Sequence, residues 1–230
     1  MEKINLSVII PVYNEEKTIK EVIEKVTAQK EVREIIVIDD GSTDSTRELL
    51  AKIPTGSNLK VIHHPKNEGK GKAVRDGFAK AVGDYIIIQD ADLEYSPSDY
   101  PKLTKPILEG KAQIVYGSRF LNQKTNMLWW IFLGNKFLTF ATNILFGAKL
   151  TDMTTCYKLL PWQLTKGLNL KSKKFEIDLE LTAALLKKGY QIHEVPINYK
   201  GRKYSEGKKI TWFDGLRDTY LLFKYKFQKF

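Results

Sequence analysis

The sequence Ile86-Ile87-Ile88-Gln89-Asp90-Ala91-Asp92-Leu93-Glu94 joins a short apolar run to a group of acidic residues. The consecutive isoleucines are typical of a strand that is buried on both faces of a parallel sheet. The chain leaves such a strand at the carboxyl edge of the sheet, where open α/β sheets bind their ligands. In extended chain, Asp90 and Asp92 can turn both carboxylates toward one hard cation such as Mg²⁺ or Mn²⁺. A solvated acidic turn is the alternative, because acidic pairs are common in turns.

The composition limits the class of protein. With 230 residues, of which 43% are hydrophobic, the chain can form one large domain with a real core. The single cysteine, Cys156, excludes an intrachain disulfide framework and is typical of a reducing compartment. A formal net charge of +10 indicates anionic partners such as phosphates, nucleic acid or a membrane surface. We expect no signal peptide and no transmembrane helix, because neither pattern is visible.

The first half of the chain alternates strand patterns with helix patterns. Apolar, β-branched runs predict strands at residues 6–10, 34–38, 59–63 and 86–88. Helical spacing predicts a helix over 15–26 with Asn14 as its N-cap, and a second helix that begins after Ser42 as its N-cap and runs to about residue 51. A third helix is predicted over 73–82. This alternation predicts an α/β fold with a mostly parallel, Rossmann-like sheet and flanking helices.

Acidic residues follow two of these strands. Asp39 and Asp40 come directly after the second strand, as Asp90 and Asp92 come after the fourth. Both sets should meet at one edge of a parallel sheet, where a nucleotide with its metal would bind. Between them, Gly69-Lys70-Gly71-Lys72 lacks the spacing and the hydroxyl of a Walker A loop. Either lysine would steer phosphate or simply be solvated at the start of a helix.

The motifs together resemble the nucleotide-binding half of GT-A glycosyltransferases, specifically those of the inverting family 2. The matching segments are Pro11-Val12-Tyr13-Asn14-Glu15, Val37-Ile38-Asp39-Asp40-Gly41-Ser42-Thr43-Asp44, Asn67-Glu68-Gly69-Lys70-Gly71, Gly83-Asp84 and Asp90-Ala91-Asp92. Ordered matches over about 90 residues are far more specific than any single motif. The resemblance implies a GT-A fold and an enzyme that uses a nucleoside diphosphate sugar.

The same resemblance assigns the donor site residue by residue. The nucleotide-sugar site would be formed by Pro11, Tyr13, Glu15, Asp39, Asp40, Lys70, Asp90, Ala91 and Asp92. Asp90 and Asp92 would bind the metal–diphosphate, with Asp92 as a direct ligand of Mg²⁺ or Mn²⁺. Glu94 stands where relatives carry another polar residue of the metal site, so it is assigned to the metal as well.

The second half contains motifs that resemble the polyprenyl-phosphate sugar synthases of the dolichol-phosphate mannose synthase group. Gly117-Ser118-Arg119 follows a predicted strand at 113–116. In that group the arginine at this place helps to bind phosphate. The alternative for Arg119 is an ion pair at the protein surface. The basic segment 199–210 resembles a loop that closes over the diphosphate, with Arg202 and Lys208 as phosphate ligands. Asp152 would be a general base in relatives that use hydroxyl acceptors. With Asp92, these four residues form the predicted catalytic set.

Two segments are apolar and aromatic. Residues 127–147 are interrupted by Gly134, Asn135, Lys136 and Asn143, which favours amphipathic interfacial helices over a membrane span; a core helix hairpin is the alternative. The last predicted helix, 211–227, mixes aromatic and basic residues, which suits an anionic membrane surface or a dimer interface. The remaining predictions are a helix at 98–109 that Pro106 should kink or end, a helix from 176 to Gly189, and an edge strand at 190–199 containing Pro196.

These patterns predict a single GT-A domain over 1–230, with a nucleotide-binding half (1–95), an acceptor half (96–210) and a C-terminal amphipathic helix (211–230). The expected function is metal-dependent, inverting transfer of one sugar from GDP-mannose or a UDP-sugar to a polyprenyl (dolichyl or undecaprenyl) phosphate. We expect a cytoplasmic protein, peripheral on the inner face of the cell membrane, with no nucleic-acid partner. The sequence does not decide whether the chain has a separate membrane-anchoring subunit or forms a homo-oligomer.

Two alternatives to this function remain. One is a family 2 enzyme with a hydroxyl acceptor on a glycan or soluble substrate and with Asp152 as the base. The other is a non-catalytic basic module that binds membranes. Such a module would account for the charge of +10 but not for the acidic residues at the predicted strand ends.

Overall fold

A seven-stranded sheet forms the centre of the protein in the computed structural model, which describes residues 4–54, 58–121, 126–202 and 212–230. The strands are β1 (Leu6–Val12), β2 (Val32–Asp39), β3 (Leu59–His63), β4 (Tyr85–Ile88), β5 (Val115–Ser118), β6 (Lys158–Pro161) and β7 (His193–Pro196). Their order across the sheet is β3-β2-β1-β4-β6-β5-β7. The neighbouring strands are parallel except that β6 runs antiparallel to both β4 and β5.

Helices flank this sheet. In chain order they are α1 (Ile19–Thr27), α2 (Thr46–Lys52), α3 (Lys70–Lys80), α4 (Tyr100–Leu108), α5 (Trp129–Phe146), α6 (Trp162–Lys166), α7 (Ile177–Lys187) and α8 (Trp212–Phe227), with a 3₁₀ helix at Pro97–Asp99 before α4. The sequence-based prediction of a mostly parallel α/β sheet with flanking helices is confirmed.

The parallel part of the sheet brings the predicted strand ends together. Every residue of β1 is buried, and this strand lies between β2 and β4 with α3 packed against it. In the register of the sheet, Val12 at the end of β1 pairs with Asp39 at the end of β2. On the other side of β1, Ile9 pairs with Ile88, the last residue of β4. The residues that follow these three strands therefore share one edge of the sheet.

The strand β6 was not predicted. Its Lys158-Leu159-Leu160-Pro161 sequence is short and lacks an apolar or alternating pattern, so it carries little local strand signal. Long-range pairing places it between β4 and β5, and strands from both predicted halves thus form one sheet. The predicted edge strand is confirmed at the outer side of β5, although β7 is shorter than the predicted 190–199.

Several predicted helix ends are wrong. The first helix begins at Ile19 rather than after Asn14, because Asn14 instead exchanges hydrogen bonds with Thr43. Ser42 does not cap α2; its hydroxyl accepts the N–H of Asn14. The α4 helix ends at Leu108, one residue before the predicted end, and Pro106 lies within it and does not end it.

The apolar segment 127–147 contains one continuous helix, α5, rather than a helix hairpin. Gly134 is tolerated within α5 because it faces open space, where a helical glycine costs only conformational entropy. The α8 helix packs against α5 and α7, and the three share a small second core that includes Leu138, Leu179 and Leu222. In the described parts of the chain, none of the helices is both long and apolar enough to span a bilayer.

Candidate active site

A cleft of about 560 Å³ opens where the chain leaves β1, β2, β4 and β5. This volume is within the range of about 300–1,000 Å³ that small-molecule sites occupy. Residues after β1 and β2 supply one part of the lining, and the segment after β4 supplies the centre. A third part of the lining is formed by Arg119, which follows β5, and by the α5 residues Trp130, Ile131 and Leu138.

The structure brings most of the sequence-predicted site residues to this cleft. The lining includes Pro11, Tyr13, Glu15, Asp40, Lys70, Asp90, Ala91, Asp92, Glu94, Arg119 and Arg202. Asp39 and Asp152 are fully buried and do not line it. Lys208 lies outside the described residues.

The two adjacent aspartates after β2 have different surroundings. Asp39 is enclosed, and its carboxylate accepts the N–H of Ser42 at 3.0 Å and contacts Nδ1 of His63 at 2.8 Å. Burial alone would raise the pKa of Asp39, but the bonds from Ser42 and His63 hold it below its ordinary value. Asp39 therefore stabilises the turn, and direct contact with a nucleotide would require that it leave these partners.

Asp40 does face the cleft. Its carboxylate accepts the N–H groups of Glu68 at 2.9 Å and Gly69 at 2.8 Å, so it also fixes the start of α3. Its other contact is Nδ1 of His64, at 2.7 Å. Asp40 thus links the strand end to the glycine-rich turn on the same side of the cleft.

Each of the two aspartates after β4 is paired with a cationic side chain. The Lys70 ammonium lies 2.7 Å from Oδ1 of Asp90. The Arg202 guanidinium lies 2.9 Å from Oδ2 of Asp92 and 3.2 Å from the Glu15 carboxylate, so it spans the cleft from β4 to β1. Burial and the neighbouring Asp90 and Glu94 carboxylates raise the pKa of Asp92 to about 7, against the opposing effect of Arg202.

The chemistry of Asp90 and Asp92 fits a divalent cation. Their carboxylates are hard oxygen donors, and the four acids Glu15, Asp90, Asp92 and Glu94 outnumber the two cationic groups that contact them, Lys70 and Arg202. Within the described ranges, no cluster of three or more His, Cys, Asp or Glu side chains forms a metal-holding group. Two protein carboxylates suit Mg²⁺ or Mn²⁺ if substrate phosphates and water complete the shell.

Glu94, the third predicted metal residue, has other partners. Its carboxylate accepts the hydroxyl of Tyr199 at 2.6 Å and the N–H of Arg202 at 2.8 Å. Its backbone carbonyl accepts the N–H of Lys200 at 2.9 Å. This geometry favours a role in holding the segment 199–202 over direct coordination of a metal.

The backbone is strained at two strand ends that border the cleft. Asn14 after β1 has a φ of 55°, and Leu93, between Asp92 and Glu94, has a φ of 61°. A positive φ is an outlier for a bulky residue such as leucine. Such strain tends to concentrate at functional sites, so it supports the assignment of this edge as the active site.

Arg119 and Asp152 form a buried pair with two parallel bonds. The guanidinium Nε and Nη2 donate to the two Asp152 oxygens, each at 2.7 Å, and Nη2 also donates to Thr154 at 2.7 Å. Sequence reasoning missed Glu194 on β7, whose carboxylate accepts the N–H groups of Thr151 and Asp152. Asp152 thus orients Arg119 toward the cleft, and Glu194 holds the turn that carries Asp152.

Asp178 in the first turn of α7 is another site residue that sequence reasoning missed. It lines the cleft and contacts the ammonium groups of Lys158 at 3.2 Å and Lys70 at 3.5 Å. In the sequence, an acid in the first turn of a helix is explained by the helix dipole, so no local signal singles it out. Glu180, two residues further along α7, accepts the N–H groups of Lys171 and Ser172, and its contacts are structural.

The glycines of the Gly69-Lys70-Gly71 turn allow two backbones to approach each other. A Cβ on Gly69 would lie 2.3 Å from the carbonyl oxygen of Lys173, and one on Gly71 would lie 2.5 Å from that of Ser172. These distances are far below any real contact, so only glycine fits. The turn therefore packs on the segment before α7, and in this structure its glycines make room for protein rather than for phosphate.

Comparison with known proteins agrees with this arrangement. Residues 7–165 match Glycosyl transferase family 2. The chain is 32% identical over 241 residues to the UDP-N-acetylglucosamine–dolichyl-phosphate N-acetylglucosaminyltransferase of Methanococcus voltae, covering 96% of each protein. It is 31% identical over 230 residues to the dolichol-phosphate mannosyltransferase of Pyrococcus furiosus, covering 96% of this chain and 64% of that enzyme.

Solved structures show the same fold. Glucosyl-3-phosphoglycerate synthase from Mycobacterium tuberculosis, in complex with Mn²⁺, UDP-glucose and phosphoglyceric acid, superposes with a TM-score of 0.71 at 21% identity. The match covers 97% of this chain and 80% of that structure. Because the family match spans well over half of the sequence, the chain belongs to glycosyl transferase family 2 and is a glycosyltransferase similar to the polyprenyl-phosphate sugar synthases.

Proposed function

We propose that this enzyme transfers one sugar from a nucleoside diphosphate sugar to a polyprenyl phosphate, with inversion and with Mg²⁺ or Mn²⁺, at the cytoplasmic face of the membrane. The observation that carries the proposal is the lining of the cleft. One continuous space joins the acidic strand ends to Arg119 and then to apolar side chains of α5. A donor diphosphate, an acceptor phosphate and the first part of a lipid chain require surfaces of these three kinds.

The donor would bind at the strand ends of β1, β2 and β4. Pro11, Tyr13, Glu15 and Asp40 line the part assigned to the nucleoside. Asp90 and Asp92 would hold the divalent cation, which when bound would offset the negative charge of the leaving diphosphate. Arg202 already lies beside Asp92 and would turn to the diphosphate, together with the predicted Lys208.

The acceptor phosphate would bind at Arg119. An arginine that is held rigidly presents its remaining N–H groups in a fixed direction, which suits a planar or tetrahedral anion. In the reaction, an oxygen of the acceptor phosphate forms a bond to the anomeric carbon while the bond from that carbon to the diphosphate oxygen breaks. The electron pair leaves with the nucleoside diphosphate, so a single displacement needs no nucleophile from the protein.

The position of Asp152 disfavours the alternative with a hydroxyl acceptor. A base must accept a proton from the substrate, but both oxygens of Asp152 are engaged by Arg119 and its side chain is fully buried. A phosphate acceptor is already anionic at neutral pH and needs no base. The names of the dolichyl-phosphate relatives support the same choice.

Exposed apolar residues on α5 and α8 support the proposal of a lipid acceptor. Exposed apolar residues on α5 are Trp129, Leu133, Phe137, Phe140 and Ile144, and those on α8 are Tyr220, Phe223 and Phe227. Lys224, Lys226 and Lys229 lie within or just after α8. An apolar face bordered by lysines suits the surface of an anionic bilayer. The same helix α5 lines the cleft, so a lipid chain would reach Arg119 from this surface.

Sugar transfer from a panel of UDP- and GDP-sugars to a short polyprenyl phosphate, with Mg²⁺ or Mn²⁺, tests the proposal. Asp92→Ala should abolish the product, whereas Glu24→Gln, an exposed acid on α1, should match the native enzyme. Product that needs both the metal and Asp92 supports the proposal and identifies the donor. If donors are bound or hydrolysed but the lipid phosphate is never glycosylated, the acceptor part is wrong and hydroxyl acceptors become the next candidates.

A further inference from the structure

A row of alternating charges runs from the cleft into the interior. Asp90 contacts Lys70 at 2.7 Å, Lys70 contacts Asp178 at 3.5 Å, and Asp178 contacts Lys158 at 3.2 Å. The four residues come from four parts of the fold: the segment after β4, the start of α3, the start of α7 and the start of β6. Asp178 lines the cleft, but neither it nor Lys158 has been given a role in binding the donor or the acceptor.

Lys158 is fully buried, which is unusual for a lysine. Its ammonium donates to the carbonyl oxygens of Met153 and Thr155, at 3.1 and 2.6 Å, and to Oδ1 of Asp178. Burial lowers the pKa of Lys158, while Asp178 favours its charged form. An apolar pair could fill this space without desolvating two charges, so packing alone does not explain the pair.

The arrangement leaves one Asp178 oxygen directed at Lys70. Because Lys158 occupies Oδ1, the carboxylate is fixed and Oδ2 is the atom nearest the Lys70 ammonium. Lys70 itself lies in the cleft, 5.8 Å from the centre of the Phe175 ring. If Asp90 turns to the metal, Lys70 loses its shorter ion pair and Asp178 becomes its remaining carboxylate partner among these contacts.

The backbones that carry the two residues are locked together. Gly69 and Gly71 pack directly on residues 172–174, and the N–H of Lys72 donates to the carbonyl of Lys173 at 3.2 Å. The start of α3 and the segment leading into α7 are therefore in direct backbone contact. This independent contact keeps Lys70 and Asp178 at a set distance.

We propose that Asp178 is a positioning residue, fixed by Lys158, that holds the Lys70 ammonium in the cleft where it binds the anionic diphosphate of the donor. The inference rests on the donor site proposed above. Asp178 acts through Lys70 and does not itself contact the donor. Its effect on donor binding should therefore vanish when Lys70 cannot carry a charge.

The test is a double-mutant cycle on nucleotide binding. Isothermal titration with UDP and with GDP, in the presence of Mn²⁺, is carried out on the native protein, Asp178→Asn, Lys70→Met and the double variant. We expect Asp178→Asn to weaken binding about tenfold, as for the loss of a charge-assisted contact, and to have less than a twofold effect in the Lys70→Met background. The inference is overturned if Asp178→Asn weakens nucleotide binding by the same factor with Lys70 and with Met at position 70. It is also overturned if Asp178→Asn binds nucleotide with native affinity.

A second variant separates positioning from folding. Asp178→Leu combined with Lys158→Met replaces the buried ion pair by apolar groups, so it should keep a Tm near that of the native protein. We expect its nucleotide binding to stay about tenfold weaker, because Lys70 is no longer held. Native affinity in this variant contradicts the inference. If the native protein itself binds neither nucleotide with Mn²⁺, the proposed function fails first, and this result is distinct from the others.

Discussion

Replacing Asp152 by asparagine should distinguish a positioning role from a role as a catalytic base. Asp152 accepts Nε and Nη2 of Arg119 at 2.7 Å each, and its side chain is fully buried. Asparagine keeps the shape but removes the charge, and its NH₂ group opposes one guanidinium N–H. Because this leaves a buried charge without its partner, we expect the free energy of unfolding to fall by about 3 kcal/mol.

The rate of transfer should fall as well, for a geometric reason. Without the paired bonds the guanidinium is no longer held in one direction, and such misplacement costs about 10- to 100-fold. The shape of the pH–rate profile should not change, because Asp152 transfers no proton. Urea denaturation and kcat measured over a range of pH check both effects, with Glu24→Gln as the control.

Two outcomes would refute this reasoning. A base at Asp152 predicts a loss of up to about 10⁴-fold together with the disappearance of the acid limb of the profile. An unchanged free energy of unfolding would show that the pair with Arg119 is not formed. A variant with Arg119→Met and Asp152→Leu together should be more stable than Asp152→Asn, since no buried charge is left alone, but it should have no activity because Arg119 is absent.

Three further predictions follow from single positions. Gly71→Ala should lower Tm, because its Cβ would lie 2.5 Å from the carbonyl oxygen of Ser172; an unchanged Tm would contradict the close packing of the two backbones. Burial alone would raise the pKa of Glu34, but its partners, first among them Lys60, hold it below the ordinary value. The native protein should therefore lose stability as the pH falls from about 5 through this lowered pKa. Urea midpoints measured against pH should show this acid-induced decrease in the native protein, and the decrease should be smaller in Glu34→Gln. Phe140→Ser on the exposed face of α5 should reduce binding to anionic vesicles about tenfold or more at an unchanged Tm; native binding in a sedimentation assay would exclude that face from the membrane contact.

Much of the nucleotide-binding half could be predicted from the sequence, for a local reason. β1, β2 and β4 each contain a short apolar run rich in β-branched residues, and such runs are typical of buried parallel strands. Parallel strands bring their ends to one edge, so the meeting of Asp40 with Asp90 and Asp92 in one cleft also follows from the sequence.

The features that local sequence did not predict depend on partners that are distant along the chain. β6 has no strand pattern of its own, and pairing with β4 and β5 places Lys158 beneath the cleft. Asp178 has the sequence context of a helix-dipole acid, and only the packing of α7 on the start of α3 turns it toward Lys70. In the same way, only the fold places both oxygens of Asp152, the predicted base, on the guanidinium of Arg119. The sequence gives the chemical type of each side chain. Its role also depends on which charged groups the fold places within a few ångströms of it.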